Sequence, residues 1–318
     1  MAKEKIVLKA GSLWSSVLER TSQALQCGAL QTIPTDCTFV EQDGVHFLVR
    51  LAPSLEAKAE QRKKVSGQEC PPNPFLPYDE ELFVADISDT HVCLLNKFNV
   101  VEYHILIVPR AFEDQESLLT LDDFHAMWAC LAEIDGLAFY NAGTIAGASQ
   151  RHKHLQMVPL PLSPRGPKVP IDPLLAAATF GGAVGVVPGL PFVHAIVRVD
   201  PGLVEFPLEG AKASLACYRA MLVSVGLGEG QKGSAGKLLG PYNLLVTREW
   251  MWLVPRSKEC FRSISVNALG FAGALLVKNQ QELKFLEGQG PMTILKGVAV
   301  PREIPRSSSP ELSYSVKT

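Results

Sequence analysis

The stretch that decides the fold is Gly147-Ala-Ser-Gln-Arg-His-Lys-His-Leu-Gln-Met157. On extended backbone, residues two apart point to one face. His152, His154 and Gln156 therefore project together, and Lys153, Leu155 and Met157 project the other way. Just upstream, Asn141-Ala-Gly-Thr-Ile-Ala-Gly-Ala-Ser-Gln150 is rich in small residues and backbone donors. That composition suits close approach of phosphate oxygens. Imidazoles beside such a loop suggest phosphoryl transfer. The same pair also reads as structural histidines or as a fragment of a metal site. A zinc site would need further ligands. The chain has no Cys-x-x-Cys, no His-Glu-x-x-His and no second His-x-His, and His91, His104, His125 and His194 are scattered. No closed metal ligand set is expected.

Working outward, apolar spacing at Leu13, Val17, Leu18, Ala24 and Leu25 predicts an amphipathic helix over Ser12–Leu30. Phe39 to Val49 reads as a hairpin turning at Asp43-Gly44. Ser54 to Pro77, charged and then proline-rich, reads as a long irregular loop. Strands are expected near Leu82–Asp86, His91–Asn96 and His104–Val108. Thr120 with Asp123 three residues on marks a helix start at Leu121, running toward Tyr140. The second half has a similar order: a strand near Phe192–Val199, a helix from Glu209 to Val225, a Gly-rich loop, then strands at Tyr242–Thr247 and Trp250–Pro255. Ser265 to Val277 is expected to be helical. His104-Ile-Leu-Ile-Val-Pro-Arg110 echoes Trp250-Met-Trp-Leu-Val-Pro-Arg256, as a duplicated half-unit would, although a chance likeness reads equally well.

The chain has 318 residues with 47% hydrophobic and 19% charged, an ordinary globular balance that can bury a large core. Its net charge of −2 gives no electrostatic grip on a nucleic-acid backbone, so phosphate must be met locally. The seven cysteines are odd in number and dispersed, which suggests buried thiols in a reducing compartment such as the cytoplasm. No secretory signal is legible at the N-terminus. Pro173 to Val197 lacks charge, but its glycines and prolines read as a loop feeding a buried strand, not a membrane span. Gly226-Leu-Gly-Glu-Gly230 and Gly233-Ser-Ala-Gly-Lys237 are decoys: neither has nucleotide-loop spacing, and Leu238 stands where a magnesium-binding Ser or Thr would be.

Longer motifs carry a resemblance. Leu94 to Arg110 resembles the sheet signature of the histidine triad superfamily, and His152-Lys-His-Leu-Gln156 its active-site strand, with Gln in the third triad position. Phe139-Tyr-Asn-x-Gly, Gly147-Ala-Ser-Gln-x-His-Lys-His-Leu-Gln156, Tyr242-Asn-Leu-Leu-Val-Thr-Arg-Glu-Trp250 and Gly270-Phe-Ala-Gly-Ala-Leu-Leu-Val-Lys278 resemble the ATP adenylyltransferase (diadenosine tetraphosphate phosphorylase) family. The related hexose-1-phosphate uridylyltransferases carry proline where this chain has Lys153.

The resemblance implies an α+β fold of two pseudo-repeat halves sharing one antiparallel sheet with packed helices. It implies a single domain over 1–302, with a catalytic half at 1–165 and a degenerate half at 166–302; a loose tail is expected at 303–318. It implies phosphorolysis of diadenosine tetraphosphate (Ap4A) to ATP and ADP through an adenylyl-histidine. His154 would be the nucleophile, His152 would position or polarise, and Gln156 would favour transfer over hydrolysis. Lys58, Lys97, Asn141, Gly147, Ala148, Ser149, Gln150, Asn267 and Lys278 would bind substrate. Asn267 also reads as a helix cap and Lys58 as part of a solvated charge run. The implied partners are nucleotides and phosphate, with Mg²⁺ carried on the nucleotide; no nucleic acid, membrane or particular oligomeric state is signalled. The competing readings are a sugar-phosphate uridylyltransferase and a catalytically silent nucleotide-binding sensor.

Overall fold

The computed structural model describes residues 5–53, 73–228 and 240–302. Its centre is a ten-stranded sheet. In chain order the strands of the first half are β3 (Phe83–Asp86), β4 (His91–Leu95), β5 (Ile105–Pro109), β6 (Gly136–Asn141) and β7 (Leu155–Pro159). Those of the second half are β8 (Thr179–Phe180), β9 (Gly185–Val186), β10 (Ala195–Arg198), β11 (Tyr242–Val246) and β12 (Trp250–Pro255). The spatial order is β3-β4-β5-β7-β6-β11-β12-β10-β9-β8. Helix α2 (Leu121–Glu133) connects β5 to β6, and helix α4 (Pro207–Ser224) connects β10 to β11.

The two halves therefore repeat one topology, three strands, a helix and two strands, with the last strand inserted beside the third. They join where β6 pairs antiparallel with β11, Asn141 opposite Asn243. The Val-Pro-Arg echo of the sequence is not the register of this repeat. It equates β5 with β12, whereas by topology β5 corresponds to β10 and β12 to β7.

Each sheet face is buried. One face carries Cys93, Ile107, Leu155, Met157, Tyr140 and Leu253 against α2, α4 and helix α1 (Leu13–Cys27). The crossing of α2 and α4 is close: a Cβ on Gly210 would stand 2.7 Å from the Trp128 ring. The other face packs against a small sheet of β1 (Asp36–Gln42), β2 (Val45–Leu51) and β15 (Ala274–Val277). The short helices α3 (Asp172–Leu175) and α5 (Ala268–Phe271) and the helices α6 (Gln280–Gln289) and α7 (Pro291–Val298) complete that layer, together with the hairpin β13 (Cys260–Phe261) and β14 (Ile264–Ser265).

The expected hairpin forms as β1–β2, with Asp43 and Gly44 both at positive φ as its tight turn requires. The capping box at Thr120 and Asp123 forms and starts α2. Three expectations fail. The helix does not run on toward Tyr140, because Gly136 to Asn141 is buried throughout and pairs on both sides as an interior strand. Ser265 to Val277 is helical only at Ala268–Phe271; Gly273, at φ +91, turns the chain so that β15 pairs parallel with β2. Cys93 and Cys130 are buried, but Cys27 and Cys37 are exposed. The decoy loops lie largely, and the 303–318 tail wholly, outside the described residues, as does Lys58.

Candidate active site

The histidine strand obeys the predicted alternation. Gln156 pairs with Leu106 and Phe139, on the face away from α2. The rings of His152 and His154 both lie against Phe75, at 5.6 and 5.4 Å between centroids. Lys153 points the opposite way and is fully buried. Its ammonium donates to Glu113 Oε2 at 2.5 Å, Asp123 Oδ2 at 3.1 Å and the Leu118 carbonyl at 3.2 Å. Asp123 also meets His91 Nε2 at 3.2 Å. Burial pushes the Asp123 carboxyl up, but the bond to His91 and the charge of Lys153 outweigh it and hold its pKa below the usual value. This ionic cluster fastens the histidine strand to the start of α2.

His154 Nδ1 stands 2.9 Å from the main-chain carbonyl of His152. A carbonyl only accepts, so Nδ1 carries the proton and Nε2 keeps its lone pair. Burial pushes the ring's pKa down to about 4, the backbone bond resists this, and the neighbouring His152 adds to it. His154 is thus neutral at physiological pH, with an unprotonated Nε2.

His152 is differently employed. Its Nε2 donates to the Pro109 carbonyl at 2.9 Å and its Nδ1 accepts from the Asn73 amide at 3.0 Å. Both ring nitrogens are taken, so its ring holds the strand in place while its carbonyl orients His154.

Sequence reasoning missed two further residues. Gln115, nearly fully buried, uses one side-chain amide on three main-chain groups. It accepts from the His154 N–H at 2.8 Å and donates to the Asn141 carbonyl at 2.9 Å and the His154 carbonyl at 3.3 Å. His104 takes a hydrogen bond from the Asn96 amide on Nδ1 at 3.1 Å. Its Nε2 is buried without a hydrogen-bond partner among the described residues. Burial pushes this ring also down to about 4, against the effect of the adjacent Gln156 side chain and with the help of His154. His104 precedes β5 and reaches the site only through the β5–β7 register, which no spacing in the sequence encodes.

The small-residue loop is tighter than its sequence suggests. Gly147 sits at φ +91, and a Cβ there would lie 2.9 Å from Asn267 Cβ. The N–H groups of Gly147 and Ala148 already donate to the carbonyls of Thr144 and Gly143. Those of Ser149 and Gln150 have no protein partner among the described residues, so the donors open to a phosphate lie at the end of the loop. Asn141 Oδ1 accepts from the Asn243 amide at 2.8 Å and the Ala268 N–H at 3.0 Å, which ties the loop to the second half. Arg256 donates to Asn243 Oδ1 at 2.6 Å and to the Ala146 carbonyl at 3.2 Å across the same junction.

Asn267 caps α5 through the Leu269 N–H and also lines, with Gly147 and Lys278, a cavity of about 130 Å³. Lys97 stands apart, half-exposed, 3.4 Å from Asp79. Among the described residues no group of His, Cys, Asp or Glu is placed to hold a metal ion.

A neutral buried imidazole whose Nε2 keeps its lone pair, on a strand that follows a loop ending in open backbone donors, fits a group-transferring enzyme of the histidine nucleotidyltransferase class. The comparisons with known proteins give the family. The Ap4A phosphorylase N-terminal domain matches residues 3–177 and the ATP adenylyltransferase C-terminal domain matches residues 188–301, and the chain belongs to this family. Diadenosine 5',5'''-P1,P4-tetraphosphate phosphorylase 2 of Saccharomyces cerevisiae is 28% identical over 276 residues, covering 77% of this chain and 80% of the relative. Protein APA1 of the same yeast is 27% identical over 299 residues, covering 84% and 87%. The crystal structure of yeast Ap4A phosphorylase Apa2 superposes with a TM-score of 0.74 at 25% identity, covering 93% of this chain and 100% of that one. These matches set aside the uridylyltransferase reading.

Proposed function

We propose that this chain cleaves Ap4A by phosphorolysis, and makes it in reverse, through an adenylyl group carried on His154 Nε2. One of its two yeast relatives bears the name of that activity, and yeast Ap4A phosphorylase Apa2 has been crystallised with Ap4A and with AMP. The observation that carries the proposal is the Nδ1-to-carbonyl hydrogen bond of His154, which leaves Nε2 as the nucleophile. In the first half-reaction Nε2 attacks the α-phosphorus. A P–N bond forms, the bond to the bridging oxygen breaks, and ATP leaves with that electron pair. The imidazole becomes cationic, and the His152 carbonyl already accepts its Nδ1–H, so the charge meets a preset dipole. In the second half-reaction a phosphate oxygen attacks, the P–N bond breaks, and ADP leaves with His154 neutral again.

Ser149 and Gln150 would donate to the phosphoryl oxygens, and Asn141, Asn267 and Lys278 would border the bound nucleotide. Lys97 and Lys58 would serve the outer phosphates, and Mg²⁺ would arrive on the polyphosphate. Gln156 offers hydrogen bonds but no proton at neutral pH. Water there lacks a base, whereas phosphate comes already ionised. The free thiols among the described residues suit a reducing compartment such as the cytoplasm.

The test uses Ap4A labelled at the α-phosphate, with and without phosphate. Wild-type protein should give ATP plus ADP only with phosphate, and a labelled, acid-labile protein band without it. His154→Ala should give neither. Retained covalent label in that variant, or ATP plus AMP without phosphate, would refute the proposal.

A further inference from the structure

Arg50 lies next to the end of β2, the middle strand of the small sheet, and its Nε–H is buried without a partner among the described residues. Its Nη1 makes only long contacts, 3.4 Å to Thr35 Oγ1 and 3.5 Å to Cys37 Sγ. An orphaned buried donor on a permanent cation is costly, which makes it a site waiting for an acceptor. Two cavities share Arg50, Val100 and Val101 as a common wall. One, about 130 Å³, is the cavity bordered by Gly147, Asn267 and Lys278; the other, about 400 Å³, opens toward Tyr103 and Pro161. Val266, Leu269 and Leu276 also wall the smaller one. Apolar walls of this kind suit a flat heteroaromatic ring and disfavour a polyphosphate. Arginine offers donors only, so it can read a ring nitrogen but not an exocyclic amine.

We propose that Arg50 is a specificity-determining residue, donating from its guanidinium to a ring nitrogen of the adenine whose phosphates lie at the Gly147–Gln150 loop. The inference rests on the phosphorolysis reading above and adds to it the group that selects the base. The experiment compares wild type, Arg50→Met and Arg50→Lys by Ap4A phosphorolysis, with diuridine tetraphosphate, which has the same four phosphates, as a competing ligand. Arg50→Met should raise KM for Ap4A about tenfold, with kcat within about twofold and the inhibition constant of the uridine compound unmoved. Arg50→Lys keeps the charge but loses the Nε–H and should follow Arg50→Met. An equal loss for both ligands would show that Arg50 does not select the base, and no change for either would leave it outside the site; both results overturn the inference. Failure of the wild type to phosphorolyse Ap4A would instead overturn the underlying reading. Thermal midpoints of the nucleotide-free variants close to wild type exclude misfolding as the cause of a raised KM.

Discussion

Replacing Gln115 by Leu removes one amide and strands three main-chain groups. The His154 N–H loses a 2.8 Å bond, the Asn141 carbonyl a 2.9 Å bond and the His154 carbonyl a weaker one at 3.3 Å. Buried groups left unpaired cost about 1–3 kcal/mol each, and counting the long contact as minor gives roughly 3 kcal/mol of stability. That is a large share of the 5–15 kcal/mol typical of a domain, but it is survivable. The catalytic loss has another origin. Gln115 holds the nucleophile's backbone and the start of the phosphate loop at one point, and a misplacement of about 1 Å costs on the order of 10²-fold in rate. Since Gln115 does not line the nucleotide cavity, KM should change little. The assay is single-turnover transfer of α-labelled adenylyl to His154, read beside urea unfolding. A kcat within twofold of wild type, despite the lost stability, would show that Gln115 only packs the fold. Gln115→Glu sharpens the test, because it sets a carboxylate oxygen against two carbonyls and should be worse than Leu on both readouts.

The remaining predictions concern pH, reaction outcome and the loop. With the His154 ring near 4, kcat/KM should stay level as pH falls from 8 and halve near pH 4, not near the ordinary value of 6.5; a midpoint at 6.5 would contradict the buried neutral ring. His104 and His154 are both lowered from 6.5 to about 4, so the unfolded chain binds more protons between these values. Their contribution to stability is complete above about pH 6.5 and is lost as pH falls toward 4, by about 3 kcal/mol per ring, measurable as a falling urea midpoint. Gln156→His should raise ATP plus AMP relative to ATP plus ADP, and an unchanged product ratio would remove Gln156 from the choice of acceptor. Gly147→Ala forces a Cβ to 2.9 Å from Asn267 Cβ at φ +91; it should cost about 1–2 kcal/mol of stability and weaken AMP binding in calorimetry.

What was legible in the sequence was local or periodic. The alternation of His152, Lys153 and His154, the Thr120 cap and the Asp43-Gly44 turn depend on neighbours in the chain, and all form. The boundaries that failed were decided by pairing: Gly136 to Asn141 and Ala274 to Val277 are short apolar runs that read as helix until a strand lies beside them. The site divides in the same way. His154 stood out by its motif, whereas His104 and Gln115 reach it across strands and through main-chain groups, which leave no side-chain pattern to read. Asn267 shows a third case, since capping α5 and bordering the cavity are one position serving both readings.

The seam between β6 and β11 has a consequence for how the enzyme meets dilution. Asn141 is held from across that seam by Asn243 and by the Ala268 N–H, so part of the framework of the loop after β6 belongs to the other repeat. Two identical separate halves could build the same ten strands, but their site would disassemble as concentration fell. Joined in one chain, each half sees the other at a fixed effective concentration, and the site persists in a single molecule. The two repeats also differ at one matching position. His194 precedes β10 as His104 precedes β5, yet its Nδ1 is spent on the Phe192 carbonyl and its Nε2 on the Val187 N–H. One repeat leaves a ring nitrogen of this imidazole without a hydrogen-bond partner among the described residues, and the other has turned the corresponding ring into a rivet.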